Sequence, residues 1–412
     1  MPEFSVVSVI SYIIQALFLL LGAYYFVISL FSFIPRRNQA VDDTRLRRYA
    51  LLVAAHNEEL VIENMVESLK KLDYPDDKYE IFIIADNCTD KTAQIARDAG
   101  ATVFERFNST ERGKGFALEW MFQKLFEMDN KFDSVVVFDA DNIASRDFLK
   151  NINRQHNRGF KVVQGYIDSK NPNDSWISYS YSIAFWAINR LFQQSRSNLN
   201  LGCQLCGTGF SVDIDVLKEI GWGATCLTED MEFTMKLALN DIKVGWANDA
   251  VVYDEKPLTL SQSWKQRVRW MQGHADVATR FVLKLFKKSF SEGKLAPFDC
   301  ALYLLQPLRI ITMGAITVMA WIQTAYPESN LVIWGLVPDG VWNVFVLLQF
   351  CWTPLVLVIE KKVSKRTIWG YIAYTFYTLT WVPIAIIGII NKNKKEWFHT
   401  QHTRKISINE LR

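Results

Sequence analysis

The sequence predicts an α/β domain with a parallel, doubly wound sheet, held at a membrane by apolar helices on both sides. Short apolar runs alternate with amphipathic stretches between residues 49 and 138, polar clusters follow the runs, and long uncharged segments flank the region. Apolar runs that alternate with helices are typical of buried parallel strands. Half of the 412 residues are hydrophobic and the formal net charge is only +3, so the composition does not favour nucleic-acid binding.

Residues 1–35 are predicted to form an N-terminal transmembrane helix. No charged residue occurs between Phe4 and Pro35, which exceeds the roughly 20 apolar residues that one span needs. A secretory signal peptide fits poorly, because no Lys or Arg precedes the run. Basic residues follow it, at Arg36, Arg37, Arg45, Arg47 and Arg48. The positive-inside rule then predicts an integral plasma-membrane protein whose next domain, residues 36–260, is cytoplasmic.

This domain carries the α/β alternation. Strands are predicted at Tyr49–Ala55, Tyr79–Ala85, Ala101–Phe104, Ser134–Phe138 and Val244–Tyr253. Helices are predicted at Val61–Lys71, Lys91–Ala99, Lys114–Phe126, Trp176–Gln193 and Leu227–Leu239. Ligands of doubly wound sheets bind beyond the carboxyl ends of the strands. Asp86 and Asp139 fall at such ends.

The C-terminal third is predicted to return to the membrane. Ser261–Phe290 is a helical stretch with lysines beside its apolar face, so residues 261–298 are expected to lie in the membrane interface. Uncharged candidates for spans follow within residues 299–391, at Ile310–Pro327, Gly340–Ile359 and Thr367–Asn391. Three crossings would put the basic tail, residues 392–412, outside, yet its lysines favour the cytoplasm, as do those of the Glu360–Arg366 loop. The sequence leaves the number of passes open.

Asp139-Ala140-Asp141 places two carboxylates at a strand end. Carboxylate oxygens suit Mg²⁺ or Mn²⁺, which bridge phosphates, although a lone Asp-x-Asp is also common in solvated turns. The stretch Arg112-Gly113-Lys114-Gly115 precedes a helix, where a lysine and free N–H groups attract phosphate; the alternative is a surface loop.

Thr228-Glu229-Asp230 begins a predicted helix. One of its carboxylates could act as a general base toward a hydroxyl group. The alternative is ordinary capping, in which Thr228 caps the helix and the two acids favour its dipole.

Gln266, Arg269 and Trp270 share one helix face. Such a face can stack a sugar ring on Trp and neutralise a diphosphate with Arg. An interfacial Trp with snorkelling arginines is the alternative. The nearby Cys203-Gln204-Leu205-Cys206 has no second cysteine pair, so reduced cysteines are expected rather than zinc.

Together, Asp86, Asp139-x-Asp141, Thr228-Glu229-Asp230 and Gln266-x-x-Arg269-Trp270 resemble, in order and spacing, the inverting, membrane-integrated family 2 glycosyltransferases. These include the processive synthases of cellulose, hyaluronan, chitin and poly-N-acetylglucosamine. The resemblance implies a GT-A fold, a UDP-sugar donor, a glycan acceptor, and Mg²⁺ or Mn²⁺ as cofactor.

The resemblance also implies roles. Asp230 would be the catalytic base, with Glu229 beside it, and Asp141 and Asp139 would be at the metal. Donor binding would fall to Ala55, Glu58, Asp86, Lys114, Asp139 and Arg269. Acceptor binding would fall to Cys206, Gly207, Thr208, Gln266 and Trp270. Trp397, Phe398, His399 and Thr400 look like the gating loop of cellulose synthase, with a basic membrane anchor as the alternative.

The leading functional hypothesis is therefore extension of a β-linked polysaccharide coupled to its translocation across the bilayer. One apolar segment precedes the α/β domain where several relatives have two, so a complete channel would need a homodimer or an accessory membrane subunit. The alternatives are transfer of one sugar to a lipid or short glycan, and a non-enzymatic membrane scaffold. Intact carboxylates at Asp139, Asp141 and Asp230 disfavour the scaffold.

Overall fold

A computed structural model describes residues 6–35, 44–129, 131–223, 226–333, 338–394, 404–406 and 408–410. Within these residues the central feature is one mixed sheet. Its strands are β1 Tyr49–Ala55, β2 Tyr79–Asp86, β3 Thr102–Arg106, β4 Ser134–Asp139, β5 Ile143–Ala144, β6 Val162–Ser169, β7 Phe210–Asp213 and β8 Val244–Asp254. They lie in the order β3-β2-β1-β4-β7-β6-β8-β5.

Helices surround this sheet and continue beyond it. The first is α1, Val6–Leu30. The sheet domain contains α2 Ile62–Lys70, α3 Thr92–Asp98, α4 Lys114–Glu127, α5 Phe148–Asn157, α6 Trp176–Ala187, α7 Ser195–Asn198, α8 Ile214–Ile220 and α9 Glu229–Leu239. A π-helix, Ile188–Gln194, joins α6 to α7. The C-terminal helices are α10 Leu260–Glu292, α11 Leu295–Leu304, α12 Gln306–Ala325, α13 Asp339–Ile359, α14 Thr367–Leu379 and α15 Trp381–Ile390.

The predicted α/β fold is confirmed, and its second half is more irregular than the first. Strand β1 has the predicted bounds and pairs in parallel with β2 and β4. Strand β7 pairs antiparallel with both β4 and β6, so the sheet is mixed rather than wholly parallel. Sequence patterning did not identify β5, β6, β7 or α5. Strands β5 and β7 are only two and four residues long, and the buried β6 is interrupted by polar residues. Helix α5 does have a regular apolar face.

The sheet is buried on both faces. Along β1 the side chains alternate: Ala50 and Leu52 pack on one side with Met121 and Phe122 of α4. Leu51 and Val53 pack on the other side with the apolar face of α2. This two-sided burial explains why the strand reads as a continuous apolar run.

Within the described residues, three helices are long and apolar enough to cross a membrane: Val6–Phe33, Gln306–Ala325 and Thr367–Ile390. The first two run side by side between the sheet domain and a distant loop. Near the domain, Asn198 Nδ2 donates to Phe31 O at 2.8 Å. At the other end, Gln15 Nε2 donates to Leu331 O at 2.8 Å, just beyond α12.

The third candidate span, α14 with α15, packs against the catalytic half of the chain along its length. Near its start the Thr367 and Tyr179 hydroxyls are 3.1 Å apart. In its middle Arg267 donates to Thr380 Oγ1 at 2.8 Å. Just after its end Gln272 donates to Asn391 O at 3.2 Å. The start of this apolar helix therefore contacts α6, and its middle and end contact α10.

Candidate active site

One cavity of about 800 Å³ collects the predicted site residues. It opens at the carboxyl ends of β1, β2 and β4 and continues between the C-terminal helices. Its lining includes Ala55, Glu58, Asp86, Lys114, Asp139, Asp141, Cys206, Gly207, Thr208, Glu229, Asp230, Gln266, Arg269 and Trp270. The predicted gating residues Trp397, Phe398, His399 and Thr400 lie outside the described residues.

The register of the parallel strands brings the residues at the ends of β1, β2 and β4 to one edge of the sheet. Ala54 of β1 lies beside Asp139 of β4, and Ala55 lies beside Ala85 of β2. Asp86, the last residue of β2, is buried and accepts a hydrogen bond from Arg106 Nη1 at 2.7 Å. This ion pair fixes the carboxylate at the cavity edge, so its second oxygen can accept from a ligand.

Lys114 links the start of α4 to two other motifs. The helix follows Gly113, whose φ of +107° favours glycine. The Lys114 ammonium donates to the Asp139 carboxylate and, at 2.6 Å, to Gly207 O. Burial opposes the charge, but Asp139 and Glu229 outweigh it and raise the Lys114 pKa. The predicted phosphate lysine is thus a fixed cation at the centre of the cavity.

Asp141 is fixed by hydrogen bonds to both its side chain and its backbone carbonyl. Its Oδ2 accepts from Glu255 N at 2.9 Å, and its carbonyl accepts from Lys170 Nζ at 2.8 Å. Burial raises the pKa of nearby Asp254 to about 6; Lys256 lowers it, and the Asp141 charge adds to the rise. Asp254 pairs with Lys256 and Glu255 pairs with Lys170, so the charges of these two carboxylates are already compensated.

The donor set fits Mg²⁺ or Mn²⁺, which bind through oxygen. In the described part of the chain, no three His, Cys, Asp or Glu side chains converge closely enough to hold a metal by themselves. A cation at Asp139 and Asp141 would therefore complete its coordination with substrate phosphate and water, as is usual for Mg²⁺.

The Cys206–Thr208 loop is fastened by a buried glutamine. Gln164 accepts from Cys206 N at 2.9 Å and donates to Thr208 O at 2.9 Å. Thr208 Oγ1 in turn accepts from Asp139 N at 3.1 Å. The loop turns at Gly207, whose φ is +83° and where an added Cβ would lie 3.4 Å from Asp230 Oδ2. The predicted acceptor loop thus touches both the metal motif and the predicted base.

Glu229 and Asp230 are the first residues of α9 and line the cavity. Thr228 occupies the capping position, but its side chain makes no capping hydrogen bond. Burial is the main cause that raises the Asp230 pKa to about 7, and the Glu229 charge adds to it. A carboxyl with a pKa near neutrality suits a general base. These features favour the catalytic interpretation over simple capping.

The cavity is also lined by three residues of α10, which are Gln266, Arg269 and Trp270. Tyr181 donates to Gln266 Oε1 at 2.9 Å, and the Tyr181 and Trp270 rings meet edge-on with centroids 6.0 Å apart. Burial raises the pKa of both Glu229 and Asp230, and the positive charge of nearby Arg269 partly opposes that rise. Arg267, between Gln266 and Arg269 on α10, is fully buried and packs on the Tyr377 ring at 4.1 Å, so it holds α14 rather than anchoring at an interface.

Several residues that line the cavity were not predicted from the sequence. Asp254 ends β8 and Glu255 follows it, so the strand-end rule that identified Asp139 could have found them. Other linings come from the π-helix and from α11, α12, α14 and α15; these are Phe192, Gln193, Tyr303, Gln306, Arg309, Tyr377 and Trp381. A single sequence contains no signal that distinguishes these residues from membrane or core positions.

A lysine, carboxylates at strand ends, an acidic helix start and a tryptophan line one cavity, the arrangement that the sequence predicted for a glycosyltransferase with a nucleotide-sugar donor. Residues 47–273 match the family described as glycosyltransferase like family 2. The chain belongs to this family, which confirms the membership predicted from the four motifs.

Relatives include two kinds of synthase. The chain is 26% identical over 394 residues to the poly-beta-1,6-N-acetyl-D-glucosamine synthase of Staphylococcus epidermidis, covering 92% of this chain and 91% of that one. It is 31% identical over 242 residues to the beta-monoglucosyldiacylglycerol synthase of Synechocystis, covering 54% of this chain but only 47% of that relative. The fold of the mannosyltransferase PcManGT from Pyrobaculum calidifontis, solved with GDP-Man and Mn²⁺, is similar, with a TM-score of 0.62, 18% identity, and coverage of 94% and 99%. These findings support a membrane-associated hexosyltransferase that uses a nucleotide sugar.

Proposed function

We propose that the chain is an inverting, processive polysaccharide synthase that extends a β-linked glycan from a UDP-sugar and passes it across the plasma membrane. The observation that carries the proposal is the continuity of one cavity. It contains Glu229 and Asp230, and it extends to Ile310, Met313 and Trp381 of the C-terminal helices. The similarity to a poly-N-acetylglucosamine synthase over 92% of the chain supports the same function.

In the proposed reaction a carboxylate takes up the acceptor proton, and positively charged groups stabilise the leaving diphosphate. Asp230 would accept the proton of the acceptor hydroxyl as that oxygen attacks the anomeric carbon from the face opposite the leaving diphosphate. Attack from that side inverts the configuration. Lys114 and Arg269 would balance the charge that develops on the diphosphate. A divalent ion held at Asp139 and Asp141, when bound, would add electrostatic stabilisation of the same leaving group.

The acceptor would occupy the continuation of the cavity. Trp270 offers an aromatic face, and Gln266 offers an amide to sugar hydroxyls. The backbone of Gly207, with no side chain of its own, lets an acceptor approach Asp230 closely. The cytoplasmic position of the sheet domain, and a homodimer or accessory subunit that completes a channel, belong to the same proposal.

The test is turnover by purified protein in lipid nanodiscs with separate UDP-sugars, GDP-mannose, and either Mg²⁺ or Mn²⁺. The proposal expects release of UDP and a polymer that lengthens with time. Light scattering coupled to size exclusion would measure the oligomeric state. No turnover with any of these donors would contradict the proposal.

A second candidate is transfer of one sugar to a lipid. The similarity to a glucosyldiacylglycerol synthase favours it, as does Met313, which lines the cavity and is 38% exposed on a candidate span. A product that contains one added sugar, formed only when diacylglycerol is supplied, would select this candidate.

A further inference from the structure

Helix α10 approaches the start of α9 more closely than a side chain at position 273 would allow. A Cβ added at Gly273 would lie 2.5 Å from Thr228 Oγ1, 2.6 Å from Thr228 Cγ2 and 2.9 Å from Thr228 Cβ. Rotation of the Thr228 side chain cannot relieve the last of these contacts, because Cβ does not move with χ1. Glycine destabilises the interior of a helix relative to alanine, so this position has a packing reason.

Helix α10 packs against α15 on its opposite side. A Cβ added at Gly388 of α15 would lie 2.3 Å from Met271 Cβ and 2.9 Å from the Met271 carbonyl carbon. Met271 and Gly273 are two residues apart, so they point about 200° from each other around the helix axis. A displacement of α10 away from α9 would therefore press its backbone into α15.

Contacts farther along α9 and α10 fix the two helices to each other. Arg280 Nη1 and Nη2 each donate to a carboxylate oxygen of the buried Glu232 at 2.9 Å, and such a bidentate pair restricts both separation and orientation. Met235 of α9 packs with Val277 of α10 in one buried cluster. The start of α9 has less support, because the Thr228 side chain makes no capping hydrogen bond. A methyl group added to α10 would consequently displace the start of α9.

We infer that Gly273 is a positioning residue that sets the distance between the proposed base and the α10 face proposed to bind donor and acceptor. Arg269 and Trp270 lie one turn before Gly273 on the same face of α10. Asp230 follows Thr228 by two residues, and both line the cavity with Arg269 and Trp270. One contact therefore connects the segment that carries the base with the segment that carries the cation and the aromatic ring. The inference rests on the proposed role of Asp230, and it does not depend on whether the product is a polymer or a single-sugar adduct.

The test compares full-length Gly273→Ala with the wild type in lipid nanodiscs, by UDP release at saturating donor and by UDP-binding calorimetry. A displacement of about 1 Å at the base should lower kcat about 10–100-fold. The UDP affinity should stay within about twofold and its stoichiometry should be unchanged, since Asp86, Lys114 and Asp139 lie on other elements. Gly22→Ala in α1 is the matched control: its added Cβ meets no neighbouring segment within 4 Å, and kcat should stay within about twofold.

A second substitution separates this contact from a general loss of stability. Thr228→Gly removes all three atoms that the new methyl group would meet. In that background Gly273→Ala should change kcat by less than about threefold, because the two positions no longer touch. Equal loss of kcat in the two backgrounds, or an unchanged kcat in Gly273→Ala alone, would overturn the inference and leave the proposed function standing. No turnover by the wild type would instead refute both. If Gly273→Ala does not fold, the double variant decides, and its failure to fold or to match the kcat of Thr228→Gly overturns the inference.

Discussion

Replacement of Asp230 by Asn should abolish transfer and at the same time stabilise the protein. The amide keeps the shape of the carboxylate but cannot accept the acceptor proton, so a loss of about 10²–10⁴ in kcat is expected for a missing general base. Binding of UDP should be retained, because Asp86, Lys114 and Asp139 are unchanged.

The magnitude of the stabilisation follows from the pKa of Asp230. Burial and Glu229 raise that pKa from 3.8 to about 7, and each unit corresponds to about 1.4 kcal/mol. Ionised Asp230 therefore costs up to ~4 kcal/mol in the folded state, and water in the cavity reduces this to ~1–2 kcal/mol. The cost is absent below pH 4, where the group is protonated in both folded and unfolded states. It grows as pH rises toward 7 and is constant above.

The assay is thermal unfolding, followed by tryptophan fluorescence in detergent at pH 4 to 8, beside UDP release and UDP-binding calorimetry. At pH 8 the variant should melt about 2–6 °C above the wild type, and the difference should vanish near pH 4. Asp215→Asn, on the exposed side of α8, should change neither activity nor this pH dependence. Full activity of Asp230→Asn, or a lower Tm at pH 8, would refute the reasoning.

Three further perturbations test other parts of the site. Glu229→Gln should shift the acidic limb of the kcat/KM pH profile below pH 7, because the Glu229 charge raises the Asp230 pKa; an unmoved limb contradicts this. Trp270→Ala should weaken acceptor use about tenfold and leave UDP affinity within about twofold, with Trp270→Phe intermediate; equal loss of UDP affinity would move Trp270 to the donor side. Lys170→Gln should weaken Mn²⁺-dependent UDP binding about five- to tenfold by releasing Asp141; unchanged calorimetric affinity would show that Asp141 does not need this support.

The strands that the sequence predicted best, β1, β2 and β4, are buried along most of their length. In β1, Ala50 and Leu52 pack in the hydrophobic cluster on one face of the sheet, and Leu51 and Val53 pack in the cluster on the other face. Because both faces are buried, every position of the strand is apolar and the strand can be recognised from its sequence. Strand β7 consists of four residues between two antiparallel neighbours. Its pairing is decided by contacts distant in the chain, and a local pattern cannot report them.

The same distinction holds for the site. Asp86 and Asp139 could be found because strand ends converge in a parallel sheet. The roles of Gln164 and Lys170 could not, since both are polar residues whose partners lie 42 and 29 positions away. The side of the membrane on which the tail lies was left open by charge counting, because an apolar helix of 24 residues satisfies the composition of a span whether or not it crosses.

Contacts of the C-terminal segment place its described residues next to the sheet domain. Arg404 N donates to Glu255 Oε2 at 3.2 Å, and Lys170 Nζ donates to Arg404 O at 3.3 Å. The same Lys170 and Glu255 hold Asp141. In the loop that precedes α14, Glu360 Oε2 accepts a hydrogen bond from the Tyr166 hydroxyl at 3.0 Å. Both flanks of Thr367–Ile390 therefore bond to the sheet domain, and the Arg404 backbone contacts the side chains of the same two residues that bond to Asp141.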